Sequence, residues 1–126
     1  MSNFETLYKK AAEISPIRKL SDFASCGGCG SALLTDSGKI YTGICIDAAC
    51  GLGFCAEHSA VAEMLKAGES RVVEIVCVAE DGKILQPCGR CRELLSQINP
   101  ENKETTIYLG KDRSKKLSEL LPESYS

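Results

Sequence analysis

Tryptophan is absent from the sequence, and several features that mark large classes of protein are scarce. Only one histidine occurs in 126 residues, aromatic residues make up 6%, and there is no long apolar run. A membrane-spanning helix needs about 18 or more mostly apolar residues, so we expect no membrane protein. The stretch from Met1 to Lys10 lacks the apolar core of a secretory signal, and we therefore expect a cytoplasmic protein.

A strong excess of charge is also missing. The chain carries 15 basic and 17 acidic residues, a formal net charge of −2. Proteins that bind nucleic-acid polymers usually present a basic face, and here the basic residues are scattered. We therefore expect no nucleic-acid partner and favour a small, nearly neutral substrate.

Cysteine, in contrast, is abundant, with eight residues in a short chain. In a secreted protein this number would suggest a disulfide framework, but nothing in the sequence indicates secretion. Reduced thiols that bind a metal are the favoured interpretation. The length suits a single domain over residues 1–126.

Helical periods and apolar runs alternate along the chain. The pattern predicts helices over residues 4–14, 55–66, 88–98 and 114–121. Strands are predicted over residues 32–35, 39–46, 72–79, 84–85 and 105–109. Such alternation is typical of an α/β domain in which helices cover a sheet.

Two thiol motifs carry the chemistry. Cys88 and Cys91 have the Cys-x-x-Cys spacing of a metal clamp, and Cys55 lies two residues before Glu57. Three thiolates fill three corners of a zinc tetrahedron and leave the fourth for water, as in hydrolytic zinc sites. This is the three-cysteine form of the signature of zinc deaminases. We therefore predict a hydrolytic deaminase in which Glu57 moves protons.

The predicted site imposes a geometric and an electrostatic condition. Residues two apart do not share a helix face, so Cys55 must lie at the very start of its helix to meet Glu57. Three thiolates on Zn²⁺ leave a charge of −1, which two helix N-termini would partly offset. We expect His58, Arg90 and Arg92 to assist by donating to the sulfurs.

Other uses of the thiols are possible. Cys26 and Cys29 form a second Cys-x-x-Cys motif, which could close a structural four-cysteine zinc site with Cys88 and Cys91. That site would leave the other motif, Cys55 with its neighbouring glutamate, unused. A redox role for the Cys88 and Cys91 pair is a further alternative.

The three remaining cysteines have a simpler interpretation. We predict that Cys45, Cys50 and Cys77 are small buried apolar residues, most clearly Cys77, which lies within an apolar predicted strand.

The motifs and their flanks resemble the cytidine deaminase family, in its small homotetrameric form with three cysteine ligands, which includes blasticidin-S deaminase. The resemblance covers residues 30–125 and includes the segments 30–34, 36–43 and 120–125. It implies a three-layer α/β/α fold, zinc on Cys55, Cys88 and Cys91, and Glu57 as the proton shuttle. It also implies replacement of the amino group at C4 of a pyrimidine by water, a reaction of pyrimidine salvage.

The resemblance further implies which residues bind the substrate. In such enzymes the backbone beside the motifs, here at Ala56 and Pro87, contacts the base. Subunits of the homotetramer share their active sites, and Tyr125 resembles the aromatic residue that a neighbouring subunit contributes.

The sequence departs from the family on the side that binds the sugar. The family usually has Asn-x-Glu, whereas this chain has Cys45 and Asp47, and it has Gly27 and Cys50 where aromatic residues are expected. Asp47 could still accept one hydroxyl hydrogen bond. The expected substrate is therefore cytidine, deoxycytidine or a modified cytosine nucleoside. A different amino-heterocycle, such as a blasticidin-like antibiotic, and a structural zinc module remain the alternatives.

Overall fold

The computed structural model describes residues 2–126, which form four α-helices and one seven-stranded sheet. The helices are α1 (Asn3–Glu13), α2 (Ala56–Lys66), α3 (Gly89–Ile98) and α4 (Leu117–Leu120). The strands are β1 (Arg18–Lys19), β2 (Ala24–Thr35), β3 (Ile40–Ala48), β4 (Val72–Ala79), β5 (Ile84–Leu85), β6 (Thr106–Gly110) and β7 (Arg113–Lys116). None of these helices has the length and apolar character that crossing a membrane requires.

The long strand β2 is the centre of the sheet. It pairs with β3 along one side, and with β1 and then β4 along the other, always antiparallel. Beyond β4 the sheet continues through β6, the one parallel neighbour, to the edge strand β7. The side chains of β2, β3 and β4 that point to one face therefore lie side by side across three bonded strands.

Helices cover both faces of the sheet, which confirms the predicted layered α/β fold. On one face α1 packs against β2 and β4, and the buried residues there are Leu7, Ala11, Ala32, Val76 and Val78. On the other face α2, α3 and α4 bury a larger cluster that includes Leu33, Met64, Ile75, Leu95, Ile107 and Leu117. Because β4 is covered on both faces, its sequence is almost continuously apolar.

A bulge interrupts β2 next to the second Cys-x-x-Cys motif. Cys26 pairs with Ile46 and Gly30 pairs with Ile44, so β2 has two more residues than β3 in this interval. Gly27 and Gly28 have φ of 83° and 86°, a backbone region that favours glycine. A Cβ on Gly27 would also lie 2.2 Å from the backbone oxygen of Pro16. The motif is therefore part of a bulged strand rather than a loop.

Two local predictions were wrong. Residues 114–116 belong to an edge strand instead of a helix, because their backbone pairs with β6, where Ile107 is opposite Lys115. The helix begins only at Leu117, whose side chain is buried. Cys50, expected to be buried, is exposed in a tight turn with φ of 61°.

Candidate metal centre and active site

Two helix starts present the predicted ligands. Cys55 precedes α2 and Cys88 precedes α3 as N-cap residues, both with extended backbone, and neither caps its helix through its side chain. Their thiols are therefore free to point away from the helix axes and towards each other. Cys91 follows in the first turn of α3, and its side chain is buried.

The three thiols converge on one point. All three sulfur atoms lie within 4.8 Å of one another. Cys88 Sγ is 3.5 Å from Cys55 Sγ and 3.6 Å from Cys91 Sγ. A zinc–sulfur distance of about 2.3 Å in a tetrahedron separates ligand sulfurs by roughly 3.8 Å, so the set suits zinc in size and in donor type.

The alternative four-cysteine site does not assemble. Within residues 2–126 the triad is the one group of three or more potential metal ligands that meets this distance, and it excludes Cys26 and Cys29. Cys26 is buried and accepts a hydrogen bond from the Arg18 guanidinium at 3.3 Å. The structure thus favours the interpretation with three ligands over the closed site.

Glu57 lies beside the triad in the first turn of α2, with only 4% of its surface exposed. It lines the same cavity as Cys55 and Cys88. Burial raises the pKa of the Glu57 carboxyl above its ordinary value, and hydrogen bonding to its own backbone N–H offsets part of that rise. A carboxyl group in such surroundings is suited to accept and return a proton near neutral pH.

His58 makes the contact with sulfur that the sequence predicted. Its Nδ1 lies 3.3 Å from Cys91 Sγ, and its ring stacks on Phe54 at a centroid distance of 6.5 Å. Burial, with a smaller contribution from the nearby Arg90, lowers the pKa of His58. The ring is therefore neutral at pH 7 and, with hydrogen on Nδ1, would donate to the sulfur.

The two arginines beside Cys91 differ in their contacts. Arg90 lines the cavity, and the donation of its guanidinium to a sulfur stays a prediction. Arg92 donates to the backbone oxygens of Pro87 at 2.8 Å and Leu120 at 3.0 Å, and to the Gln86 side chain at 3.1 Å. All three acceptors are oxygen atoms, so Arg92 holds the loop before Cys88 rather than a sulfur.

The cavity beside the triad has a volume of about 450 Å³, which is in the range of small-molecule sites. The rest of its lining includes residues of β2 and β3 and of the segment that follows β3, among them Cys29, Cys45, Asp47 and Phe54. Cys45 and Asp47, which stand at the sugar-binding positions by resemblance, both line this cavity, and their contact with a substrate stays a prediction.

The other predicted substrate contacts lie outside this lining. Ala56 is fully buried, and Pro87 borders a smaller space next to Glu57. Tyr125 is 90% exposed, and its backbone N–H donates to Glu93 at 2.9 Å. A contribution of Tyr125 to a neighbouring subunit therefore stays a prediction.

Sequence reasoning missed two members of the cavity wall. Cys29 and Cys77 line the cavity together with Cys45, whereas the sequence predicts only a possible structural ligand at Cys29 and a core residue at Cys77. The alternation of side chains along β2 could have predicted the position of Cys29. Cys29 and Leu33 point to the same face of the sheet, and Leu33 packs under α2 and α3.

The α/β fold, the three convergent thiols and the buried glutamate together indicate a hydrolytic deaminase. Residues 5–107 match the family model described as the cytidine and deoxycytidylate deaminase zinc-binding region. The chain belongs to this family.

Individual relatives agree with the family model. A cytidine deaminase of Mycobacterium tuberculosis is 33% identical over 98 residues, which are 76% of this chain and 71% of the relative. A blasticidin-S deaminase of Bacillus cereus is 29% identical over 106 residues, which are 77% of this chain and 76% of that protein. The crystal structure of cytidine deaminase from Mycobacterium tuberculosis superposes with a TM-score of 0.82 and 29% identity, covering 100% of this chain and 99% of that one.

Proposed function

We propose that this protein is a zinc-dependent deaminase that converts cytidine, deoxycytidine or a modified cytosine nucleoside to the uridine form and releases ammonia. The observation that carries the proposal is a buried glutamate beside three convergent thiols at one end of a cavity large enough for a nucleoside. Family membership and the cytidine deaminases among the relatives support the same reaction.

Zinc would be held by Cys55, Cys88 and Cys91, and it would supply Lewis-acid activation of the attacking water. The N-termini of α2 and α3 both point at the thiols, and each places roughly half a positive charge there. His58 adds a hydrogen-bond donor at Cys91. These groups oppose the negative charge of three thiolates and so favour ionisation of water.

Glu57 would move the protons. It takes one from the water that attacks C4 and gives one to the adjacent ring nitrogen. A second proton then passes to the amino group, which leaves as ammonia while the C4 carbonyl forms. The raised pKa of Glu57 suits a group that must be base and then acid in one cycle.

The sugar end would work differently from that of the wider family. Cys45 donates its thiol hydrogen to the backbone oxygen of Gly27 at 2.7 Å, so this hydrogen is already used within the protein. Asp47 is exposed and can accept a hydrogen bond from one substrate hydroxyl. We expect the backbone at Ala56 and Pro87 to contact the base.

We also propose a homotetramer with shared active sites. Phe23 and Leu52 are each 76% exposed, and Phe23 shares a surface hollow with Asp47 at the cavity wall. Large apolar side chains in this position suit a contact with another copy of the chain. Light scattering on the purified protein would give the oligomeric state directly.

A second candidate is deamination of another amino-heterocycle. The observation that favours it is the sugar end itself, which offers a single carboxylate, Asp47, among the thiols of Cys29 and Cys45. A nucleoside whose sugar hydroxyls find no hydrogen-bond partner in such a site is a poorer substrate. The similarity to a blasticidin-S deaminase is consistent with a changed substrate.

A substrate panel tests both candidates. Zinc-loaded protein is incubated with cytidine, deoxycytidine, free cytosine and blasticidin S, and the loss of the aminopyrimidine absorption band is followed, with metal-free protein as the control. Rapid turnover of a cytosine nucleoside supports the first candidate, and turnover of only another compound supports the second. Absence of turnover throughout, in protein shown to contain zinc, would contradict both and favour a structural zinc module.

A further inference from the structure

A second set of thiols lies in the cavity wall and has no part in metal binding. Cys45 on β3, Cys29 on β2 and Cys77 on β4 all line the cavity, and they occupy three neighbouring strands. We call these three residues the thiol row. Each points to the face of the sheet that α2 and α3 cover, so their sulfurs lie beside one another.

The bulge in β2 brings two members of the row together. Cys26 is opposite Ile46 and Gly30 is opposite Ile44, so the three bulge residues 27–29 face Cys45, the one residue of β3 in this interval. Cys29 and Cys45 therefore lie next to each other across two bonded strands, and both line the cavity. Residues that face each other across paired strands are within reach of the Cα separation of roughly 4.4–6.8 Å that a disulfide spans.

The same register argues against the other pairing. In the ladder of β2 with β4, Cys29 is opposite Ala79 and Ser31 is opposite Cys77. Cys29 and Cys77 are thus diagonal neighbours. Diagonal residues typically lie about 7–8 Å apart, at or beyond the upper limit of the Cα separation in a disulfide, although the Cys77 thiol hydrogen-bonds to Cys29. Of the two partners, Cys45 therefore has the more favourable backbone spacing for a disulfide with Cys29.

The chemistry of the pair is also suited to oxidation. Cys29 is half-buried and faces the open cavity, so a small oxidant can reach it. A hydrogen bond from Cys77 lowers the pKa of Cys29 to about 6, and a thiolate is the form that reacts. Cys45 is held next to it by its hydrogen bond to Gly27.

We propose that Cys29 and Cys45 are a redox modification site that forms a reversible disulfide on exposure to a peroxide, while the metal centre stays intact. The Cys29 thiolate attacks one peroxide oxygen, the O–O bond breaks, and the leaving hydroxide takes a proton to become water. The sulfenic acid formed on Cys29 is attacked by the Cys45 sulfur. The S–S bond forms, the S–O bond breaks, and a second water leaves, so two thiols and one peroxide give one disulfide and two waters.

The disulfide would change the sugar end of the cavity. It removes the Cys45 hydrogen bond to Gly27 and joins β2 to β3 across the wall that also holds Asp47. This consequence rests on the proposed function. If the protein deaminates nucleosides, oxidation should raise KM more than it lowers kcat, and dithiothreitol should restore KM.

The test maps the disulfide without using activity. Zinc-loaded protein is treated with one equivalent of hydrogen peroxide, alkylated under denaturing conditions and digested, with Cys50→Ser as the matched control for the exposed thiol. We expect one linked peptide pair containing Cys29 and Cys45, lighter by two hydrogens. We also expect an unchanged zinc content and loss of the link on reduction.

Three outcomes would overturn the proposal: linkage of Cys29 to Cys77, a Cys29 sulfenic or higher acid with Cys45 still free, or zinc release with oxidation of the triad before any link forms. Cys29→Ser and Cys45→Ser should each abolish the link, and Cys77→Ser should retain it. A linked protein without deaminase activity would contradict only the proposed function, and an active protein without the link would contradict only this proposal.

Discussion

Two sets of three thiols lie at or beside the cavity, and their placement gives them different chemistry. The triad of Cys55, Cys88 and Cys91 comes from two helix starts, where turning backbone brings the sulfurs within 4.8 Å of one another. The thiol row comes from three strands of one sheet. Strands are spaced by about 4.8 Å, so side chains on them form a line rather than a cluster around a point. A helix start is therefore the better support for a tetrahedral metal, and a pair of strands for a disulfide.

The electrostatic surroundings of the two sets also differ. The triad has the partial positive charge of two helix N-termini close by, and His58 adds a donor. The row lies on a sheet, which has only a small net dipole. Its most acidic thiol, Cys29, depends mainly on a neighbouring thiol, Cys77, for the hydrogen bond that lowers its pKa.

The largest expected effect is on the proton shuttle beside the triad. Glu57→Gln keeps the shape of the side chain but cannot take a proton, so turnover of the best nucleoside should fall by about 10²- to 10⁴-fold. Zinc content should stay the same, because Glu57 is not a ligand. Glu63→Gln, at an exposed position of the same helix, is the matched control and should retain activity. Full activity of Glu57→Gln would remove this residue from the mechanism.

The next effect concerns the sugar end, which the thiol row borders. Asp47→Asn should raise KM for cytidine by about tenfold, as expected when a charged hydrogen-bond acceptor is replaced by a neutral one. Turnover of free cytosine, if measurable, should be unaffected because it carries no sugar. Asp36→Asn, in the exposed β2–β3 turn, is the control. An equal change with cytosine and cytidine would show that Asp47 does not act on the sugar.

A smaller expected effect is a difference between the triad and the thiol row in their rates of alkylation. In zinc-loaded protein the triad should resist iodoacetamide, whereas Cys29 should react and keep its reactivity down to about pH 6, where its pKa lies. Below that pH the thiolate gains a proton and alkylation slows. Peptide mapping across pH, in a Cys50→Ser background, gives the rate at each site. Rapid labelling of Cys55 before Cys29 would contradict the assignment.

The smallest expected effect is on thermal stability and concerns Glu69, which belongs to neither thiol set. It serves as a check that the effects predicted above are local to the cavity. Hydrogen bonds from Ser37 and then Tyr41, each at 2.6 Å, lower the pKa of Glu69. A lowered carboxyl pKa stabilises the fold above the ordinary pKa, and the contribution is lost as pH falls through the lower folded value. Glu69→Gln should therefore lower Tm slightly at pH 7, with the difference from wild type vanishing in acid. Deaminase activity at pH 7 should not change.

The convergence of the three triad cysteines could be predicted from the sequence because both motifs are short and each lies at a helix start. Cys88 and Cys91 are one turn apart, and the requirement that Cys55 begin a helix follows from its spacing to Glu57. The layered fold was equally accessible from the alternation of helical and apolar segments. These features depend on local pattern, which a single sequence contains.

The thiol row was not accessible in the same way. Its members are 16 or more residues apart in sequence, and Cys29 lies next to Cys45 only because residues 27–29 form the bulge that faces Cys45. The strand at residues 113–116 was missed for a similar reason, since its pairing with β6 overrides local helical preference. Contacts across strands depend on register, and register is set by the whole sheet.

A comparison of the zinc content of Cys55→Ser with that of Cys29→Ser tests most directly whether the triad, and not the thiol row, binds the metal. Both replace a half-buried thiol of the cavity wall by a hydroxyl, so they are matched in site and in size. We expect about one zinc per chain in wild type and in Cys29→Ser, and a large loss in Cys55→Ser. Zinc retained by Cys55→Ser and lost from Cys29→Ser would contradict the account, because the metal would then belong to the other set.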